Sequence, residues 1–421
     1  MAPDDVSRSD DPSFPISSLR EDEVDAFVDT DAAAFGARMS QGFLDLVVAG
    51  MDRDRVAVSR DEGQVVGTAA SEHTMMTVPG LHRVPTAMVV AVAVLPSHRR
   101  QGRLRSLMRY QLEDIRGRGE IAAALYASEG GIYGRFGYGQ STFGSTYLVD
   151  KRVGRLARSA EEFAPGRMRL LRRDQAAEAF PAVYSDYAAT RAGELDRHEI
   201  DYATALGEAG GDDLARRFYA VYEEDGRLDG YVAYEVVLIE RPAHNPRRLV
   251  VHELCALTPA AYVATWSFLL GVDLTVELRA PGRPIDEPIK WLLAEPRQLR
   301  CVQTNDRSWV RLVDVGLCLG ARRYAVPGDL VIGVSDPFCS WNSGSYRMVV
   351  AEEWGSAEVE RTGAEPDVEL DASTLASIYL GGVSPLPLAE VGRIRQRSAG
   401  AAKLAARMFA NDRPPYCTTP F

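Results

Sequence analysis

A β-type run that leads directly into an arginine-rich loop and an amphipathic helix constrains the fold of this chain most strongly. The run TAMVVAVAVL (86–95) is rich in valine and is typical of a buried strand. After the loop PSHRRQG (96–102), apolar residues recur at intervals of three and four, as on one face of a helix. The apolar run IAAALYA (121–127) follows. This order predicts strand, loop, helix and strand within one mixed α/β unit.

The loop before this helix concentrates cations in a chain that is otherwise acidic. The net charge is -11, yet Arg99, Arg100, Arg103 and Arg105 lie close together. The first N–H groups of a helix are unpaired, and the helix dipole favours an anion there. Gly102 has no side chain to block close approach. The pattern predicts a pyrophosphate site, with a solvated basic turn as the alternative, and the acidic balance excludes general binding of nucleic acid.

Other common site signatures do not occur in the sequence. The pattern G-x-x-x-x-G-K-[ST] is missing, and no G-x-G-x-x-G follows the first strand. The five cysteines include no C-x-x-C pair, and the six histidines fall singly. We therefore expect neither a disulfide framework nor a metal site.

The N-terminal part supplies further elements and a prediction about location. The segment MAPDDVSRSDDPSFP (1–15) carries aspartates and no apolar run, which predicts a disordered lead-in rather than a secretory signal. A helix is predicted over 19–35, then a meander of β-type runs, and a glycine-rich aromatic loop over 128–140. Because no stretch approaches about 18 consecutive apolar residues, no membrane span is expected, and a cytoplasmic location follows.

The length of 421 residues predicts more than one domain, because single cores stop growing at roughly 250 to 300 residues. A charged, Pro/Gly-punctuated stretch near residue 150 favours a boundary there. The predicted domains are 1–150, 151–305 and 306–421. The middle one repeats the order strand, helix, strand without the arginine-rich loop, and the last one alternates strands and turns before helices at 371–382 and 387–396.

The arginine-rich loop resembles the acyl-CoA loop of the GNAT acetyltransferases, whose pattern is [RQ]-x-x-G-x-[GA]. Arg99 and Gly102 match this pattern, whereas Leu104 departs from it. The text V-A-V-x-P-x-H-R-R-x-G-x-L-R, the stretch YASEGGIYGRFGYG (126–139) and a terminal phenylalanine resemble the Eis (enhanced intracellular survival) branch of that superfamily. The resemblance covers essentially the whole chain. It implies tandem GNAT-like domains, the first active and the middle one degenerate, followed by an α+β domain similar to sterol carrier protein.

The resemblance also implies which residues bind acetyl-CoA. In the family, the pantetheine arm pairs with the backbone of a splayed strand, and the pyrophosphate lies on the loop that follows. Two positions beyond the next strand also line the cofactor site. The residues so implied are Val92, Ala93, Val94, Arg100, Gln101, Gly102, Arg103, Leu104, Arg105, Ser128 and Glu129.

The same resemblance implies two catalytic groups. Tyr133 matches the general acid that gives a proton to the departing thiolate, although on sequence alone Tyr138 is an equal candidate. The carboxylate of Phe421 matches the general base that takes a proton from the amine. No cysteine falls in a motif that would support an acetyl-enzyme, so direct transfer in a ternary complex is implied.

The implied acceptors are primary amines of cationic substrates, namely aminoglycoside-type, polyamine or lysine side-chain amines, and the implied assembly is a homohexamer. Aminoglycoside-acting relatives carry acidic residues at two positions where this chain has Ala37 and Pro420, which weakens that particular expectation. The alternative from a different functional class is a non-catalytic CoA- or lipid-binding protein derived from a GNAT.

Overall fold

The described residues form three β-sheets with flanking helices. The structure is a computed structural model that describes residues 13–157, 162–208, 217–239 and 246–421. Of the lead-in predicted to be disordered, residues 1–12 lie outside the described part.

The strands up to residue 150 are β1 (Ile16–Ser18), β2 (Val56–Asp61), β3 (Gln64–Thr77), β4 (Arg83–Val94), β5 (Ala122–Tyr126), β6 (Gly139–Gln140) and β7 (Phe143–Asp150). The next are β8 (Arg167–Leu171), β9 (Arg217–Glu224), β10 (Arg227–Leu238), β11 (Arg247–Ala256), β12 (Thr275–Pro284), β13 (Leu299–Asp306) and β14 (Ser308–Leu312). The last are β15 (Arg323–Tyr324), β16 (Gly328–Ser335), β17 (Gly344–Val350), β18 (Gly355–Thr362), β19 (Val368–Asp371) and β20 (Ile394–Gln396).

The α-helices are α1 (Val24–Phe35), α2 (Gln41–Gly50), α3 (Arg103–Gly117), α4 (Arg173–Ala188), α5 (Glu199–Ala205), α6 (Pro259–Gly271), α7 (Val315–Ala321), α8 (Ala372–Tyr379), α9 (Pro385–Glu390) and α10 (Ala401–Met408).

The first sheet contains the strand, loop, helix and strand predicted from the sequence. Its order is β1-β2-β3-β4-β5-β14-β6, β4 and β5 are parallel, and α3 connects them. Leu107, Met108, Leu112 and Ile115 of α3 are fully buried, because their spacing places them on the side that faces the sheet. The predicted order is confirmed.

The second sheet exchanges a strand with the first. Its order is β13-β7-β12-β11-β10-β9-β8, so β7, which precedes the expected boundary at residue 150, pairs with β12 and β13 of the second sheet. In return β14, which follows the expected boundary at residue 305, pairs with β5 and β6 of the first sheet. Backbone hydrogen bonding therefore crosses both expected boundaries.

The third sheet has the order β15-β18-β17-β16-β19-β20 and shares a core with the first domain. Buried side chains such as Met88 of β4 and Ala124 of β5 belong to one apolar cluster with Met348 and Tyr379 of the third domain. The helix predicted over 387–396 is wrong in its second half. The helix ends at Glu390, Gly392 has a φ of 76°, and residues 394–396 continue as β20.

A buried ion pair links the first sheet to the third domain. Arg311 of β14 and Asp336, just after β16, are 0% and 1% exposed and hydrogen bond to each other. The guanidinium of Arg311 also lies against Gly137, whose φ is 84°, at a distance that leaves no room for a Cβ atom. The pair therefore sits where the two domains meet.

We expect Arg311→Met to lower the free energy of unfolding by about 3 to 5 kcal/mol, because it leaves Asp336 buried without its partner. The matched control is Arg347→Met, which breaks an exposed pair with Asp329 and should cost about 0 to 1 kcal/mol. Urea denaturation measures both. Equal destabilisation by the two substitutions would contradict the prediction.

A second buried carboxyl group lies where α1 packs on the first sheet. Phe27 and Val28 of this helix pack in one cluster with Val90 and Ala91 of β4. Asp31 is one turn further along the same helix face, and its Oδ1 is buried with no hydrogen-bond partner among the described residues. This burial raises the pKa of Asp31 to about 6.

Asp31→Asn is expected to remove a pH-dependent loss of stability. Because the folded-state pKa of about 6 lies above the unfolded value of about 3.9, the stabilising contribution is present at low pH and is lost as the pH rises through 6. Relative to the variant, the wild-type free energy of unfolding should fall by about 1 to 2 kcal/mol between about pH 4.5 and 7.5, allowing for solvent screening. Urea denaturation at both pH values measures this change. Parallel pH dependences of the two proteins would refute it.

Candidate active site

The pairing of β4 with β5 stops partway along both strands. The last paired residues are Met88 and Ala124, although β4 continues to Val94 and β5 to Tyr126. The pairing of β4 with β3 skips a residue beside Ala91, whose φ is 50°. Such a bulge bends the strand. The two parallel strands therefore diverge, and the backbone of residues 92–94 faces the opening between them.

The helix after this opening begins without a side-chain cap. Arg100 and Gly102 both have positive φ, at 61° and 96°, and Gly102 stands at the N-cap position of α3 without a side-chain hydrogen bond. The first amide bonded within the helix is that of Ser106, which donates to the carbonyl of Gly102 at 3.1 Å. The amides of Arg103 and Leu104 precede it, so they have no acceptor in their own helix. A negatively charged group fits at this helix end.

The arginines of the loop differ in where their side chains go. Arg103 is one of the residues that the resemblance implies for acetyl-CoA, but its side chain is directed towards β2. The guanidinium is 4% exposed and turns back to β2, where it donates to Ser59 Oγ at 3.1 Å and pairs with Asp61. Arg99 donates to the carbonyl of Ala34 in α1 at 3.1 Å. Arg100 is exposed at the mouth of the opening.

Arg105, Ser128 and Glu129 lie at the rim. The guanidinium of Arg105 is 5.5 Å from the ring centroid of Phe338. Ser128 and Glu129 are exposed and directly follow β5, on the other side of the opening from residues 92–94. The residues inferred from the resemblance thus lie at the end of β4, in the loop and first turn of α3, and directly after β5.

Tyr133 begins a short 3-10 turn, Tyr133–Phe136, within the glycine-rich stretch that was predicted as a loop. It is 5% exposed and belongs to one apolar cluster with Val92 of β4 and Leu104 of α3. Burial, and secondarily the charge of Glu129, raise the pKa of Tyr133 to about 12. The phenol is therefore protonated at neutral pH and able to donate a hydrogen bond.

Tyr138, the other tyrosine considered from the sequence, is fully enclosed. Its ring lies edge-on to Tyr133 with the centroids 6.0 Å apart, and its hydroxyl is buried without a partner among the described residues. Burial raises the pKa of Tyr138 far above its usual value. Phe136 packs on Phe338 at a centroid distance of 5.0 Å. The geometry gives Tyr138 and Phe136 packing roles.

The end of the chain docks beside the same opening. The ring of Phe421 lies edge-on to Tyr126, the last residue of β5, with the centroids 5.0 Å apart. The hydroxyl of Tyr126 donates to the carbonyl of Cys417 at 3.3 Å. Arg307 Nε donates to that carbonyl at 2.9 Å, and residues 415–419 are buried. Phe421 is therefore brought to the end of β5, two residues before Ser128.

Asp31, on α1 beside the β4 bulge, is an acidic residue with a buried carboxyl oxygen that the sequence motifs do not identify. Its position four residues after Phe27 could have identified it as a carboxylate on an apolar helix face.

Ala37 and Pro420, the two positions where the resemblance would have acidic residues, are both exposed.

The middle domain has a similar opening that is closed by its own side chains. The parallel pairing of β11 with β12 ends at Val250 and Arg279, but α6 begins with Pro259 and is capped by the hydroxyl of Thr258. Arg283 bridges the opening, since it donates to the carbonyl of Leu254 at 2.9 Å and also pairs with a glutamate. A cavity of about 390 Å³ remains beside it. No arginine-rich loop precedes α6, so this opening lacks the anion site.

Metal-binding clusters and membrane-spanning helices are both absent from the described residues. Within them, no group of three or more histidine, cysteine or acidic side chains is arranged to hold a metal ion. No helix in the same part of the chain is both long and apolar enough to span a bilayer. All five cysteines are free thiols.

Comparisons with known proteins agree with this architecture. Residues 15–141 and residues 193–312 each match a family described as an acetyltransferase (GNAT) domain, and residues 315–418 match the sterol carrier protein domain. An uncharacterized N-acetyltransferase of Streptomyces coelicolor is 37% identical over 412 residues, which cover 94% of this chain and 97% of that protein.

Several relatives bear the Eis name. N-acetyltransferase Eis of Mycobacterium tuberculosis is 33% identical over 360 residues, covering 83% of this chain and 84% of that protein. The crystal structure of Eis1 from Mycobacterium abscessus superposes with a TM-score of 0.85 at 30% identity, covering 97% of this chain and 100% of that one. With two GNAT domains followed by a sterol-carrier-protein-like domain, this chain belongs to the Eis family of GNAT acetyltransferases.

Proposed function

We propose that this protein transfers the acetyl group of acetyl-CoA to a primary amine by direct attack in a ternary complex. The observation that carries the proposal is the convergence of three features at one cleft. These are the diverging strands β4 and β5, the uncapped start of α3 and the docked C-terminal residue Phe421. A thioester bound along the diverging strands and the start of α3 would place its carbonyl beside Phe421.

The proposed binding mode uses the side of β4 that is not paired with β5. The pantetheine arm forms strand-like hydrogen bonds with Val92, Ala93 and Val94, which face the opening because β4 and β5 no longer pair there. The pyrophosphate accepts hydrogen bonds from the first amides of α3 and from the exposed side chain of Arg100. In this mode Arg103 contributes its backbone N–H, because its guanidinium is occupied by β2.

Several other residues complete the proposed acetyl-CoA site. Gln101 and Gly102 shape the turn, and the positive φ of Gly102 lets the chain curl around the anion. Leu104 packs against the apolar cluster that contains Tyr133, so both ends of the proposed site rest on the same core. Ser128 and Glu129 line the opposite wall.

In the proposed reaction, the amine nitrogen bonds to the thioester carbonyl carbon and the resulting oxyanion collapses with cleavage of the C–S bond. The electron pair of that bond leaves with sulfur. The attacking nitrogen loses a proton to the Phe421 carboxylate, and the sulfur gains one from Tyr133. Holding both reactants in one cleft supplies much of the acceleration.

The raised pKa of Tyr133 determines how that proton can move. A free thiol has a pKa of about 8.5, so transfer from a phenol with a pKa of about 12 to a solvated thiolate is uphill. The apolar surroundings that raise the phenol pKa also raise the thiol pKa. Tyr133 is therefore suited to hydrogen bond to the sulfur as negative charge develops, and to give up its proton only as the C–S bond breaks.

The acceptor class proposed is a primary amine on a cationic substrate, of aminoglycoside, polyamine or lysine side-chain type. The net charge of -11 favours the approach of such molecules. Relatives named N-acetyltransferase support an amine nitrogen as the acceptor atom. We further propose, on the basis of kinship with Eis proteins, that the chain assembles as a homohexamer and acts in the cytoplasm. Sedimentation velocity tests the assembly.

Tyr133→Phe is expected to lower kcat by about 10²- to 10⁴-fold, the usual contribution of a proton donor. The KM for acetyl-CoA should change little, because the ring still packs. The matched control is Tyr138→Phe, which removes a buried hydroxyl with no partner among the described residues and should keep wild-type kcat. Thiol release from acetyl-CoA with a panel of amines measures both. Similar losses in the two variants would count against Tyr133 as the proton donor.

A single glycine added after Phe421 is expected to lower kcat at least about 100-fold, because it converts the carboxylate of Phe421 into an amide. The control carries one glycine at the N-terminus and should be fully active. Calorimetry with acetyl-CoA should give equal affinities for both. Full turnover in the extended protein would rule out the terminal base, and acetyl-CoA binding without turnover on any amine would favour the non-catalytic alternative.

A further inference from the structure

One short connection of the middle domain contacts the last residues of the chain, in addition to the contacts from Tyr126 and Arg307. This connection, residues 191–197, joins α4 to α5. Arg191 Nε donates to the carbonyl of Pro414 at 3.0 Å, and the N–H of Tyr416 donates to the carbonyl of Ala192 at 2.9 Å. We call residues 414–421 the tail. Further contacts follow in the same order along both segments, so that later residues of the connection contact later residues of the tail.

Glu194 makes the closest set of these contacts. It is 0% exposed, and its Oε2 accepts from the N–H of Thr418 at 2.9 Å while Oε1 accepts from the hydroxyl of Thr418 at 2.7 Å. Tyr184 also donates to Oε2, at 3.1 Å. The carboxylate of Glu194 thus accepts hydrogen bonds from both the backbone and the side chain of Thr418, three residues before the terminus.

A second clamp acts on the next residue. Arg197 Nε donates to Thr419 Oγ1 at 2.8 Å, and the hydroxyl of Tyr184 lies 2.9 Å from the same oxygen. Arg197 is held in turn by two hydrogen bonds to Glu253, at 2.9 and 2.8 Å. Beyond Thr419 only Pro420 separates the clamp from Phe421, and a proline restricts the backbone there.

The other edge of the connection is attached to the first domain. The N–H of Gly193 donates to the carbonyl of Thr77 in β3 at 2.8 Å, and the N–H of Thr77 donates to the carbonyl of Glu194 at 2.9 Å. The N–H of Asp196 donates to the carbonyl of Met75 at 3.0 Å. Residues 75–77 of β3 pair with residues 83–85 of β4, so the connection is tied to the first sheet near the start of β4.

We propose that Glu194 is a positioning residue, which sets the place of the Phe421 carboxylate by clamping Thr418 to the 191–197 connection. The proposal rests on the function proposed above for that carboxylate. Hydrogen bonds tie the connection to the first domain on one side and to the tail on the other. The middle domain, which lacks an anion site of its own, thereby takes part in catalysis through the tail.

The test uses Glu194→Gln and Thr418→Val in the full-length protein. Glu194→Gln leaves an amide that can accept through its oxygen only, and Thr418→Val removes the hydroxyl, so each substitution weakens one side of the clamp. The matched control is Thr265→Val, because Thr265 is a buried threonine of the same domain whose hydroxyl donates to Ala261, away from the tail. Thr418→Val keeps the buried carboxylate and serves if Glu194→Gln fails to fold.

Two quantities are measured in each protein. Hydrogen exchange followed by mass spectrometry reports protection of the peptide 410–421, and steady-state kinetics separate kcat from the KM for acetyl-CoA. In both clamp variants we expect at least tenfold faster exchange of that peptide and at least tenfold lower kcat, with KM within twofold of wild type. Thr265→Val should match wild type in both measurements.

The outcomes separate this inference from the function on which it rests. Clamp variants that retain kcat, or that lose kcat with the terminal peptide still protected, would overturn the positioning role even if the glycine extension abolishes turnover. If the extended protein is fully active, the Phe421 carboxylate is not the general base, and Glu194 cannot act by positioning it. Loss of kcat together with loss of protection, at constant KM, supports both.

Discussion

The early end of the pairing between β4 and β5 is the constraint on which the rest of this structure depends. The last β4–β5 pair is Met88 with Ala124, so the side of residues 92–94 that faces away from β3 is not paired with β5, and an extended ligand arm could bond to it. The bulge at Ala91, in the pairing of β4 with β3, bends β4 beyond that last pair. The ring of Phe421 packs on Tyr126 at the end of β5. The proposed acetyl-CoA site and the docked C-terminal residue thus both use the place where the two strands stop pairing.

Much of this arrangement can be predicted from the sequence because it depends on local chemistry. Valine-rich runs, the spacing of apolar residues in α3 and the position of Gly102 determine the order of strand, loop and helix. The motif around Tyr133 predicts a role for that residue, and burial in the structure separates it from Tyr138. These features involve neighbours in the chain, for which spacing is a sufficient guide.

The parts that could not be predicted depend on contacts between distant segments. The exchange of β7 and β14 between sheets pairs residues that are far apart in the chain, and no periodicity encodes that choice. The side chain of Arg103 looks like an anion ligand in the sequence but prefers Asp61 and Ser59, which β2 brings beside it. Asp31 is visible as a charge on an apolar face, but only the structure shows that its Oδ1 has no partner among the described residues.

The two GNAT-like domains show what separates a working cleft from a closed one within the same chain. Both have parallel strands that diverge, and both place a helix after the first of them. At α3 the N-cap is a glycine with positive φ, so the amides of the first turn stay available. At α6 the N-cap is Thr258, whose hydroxyl takes one amide, and Pro259 removes another. Arg283 then closes the opening from within. The second domain instead contacts the C-terminal residues through its 191–197 connection, so under the proposed function all three domains contribute to one site.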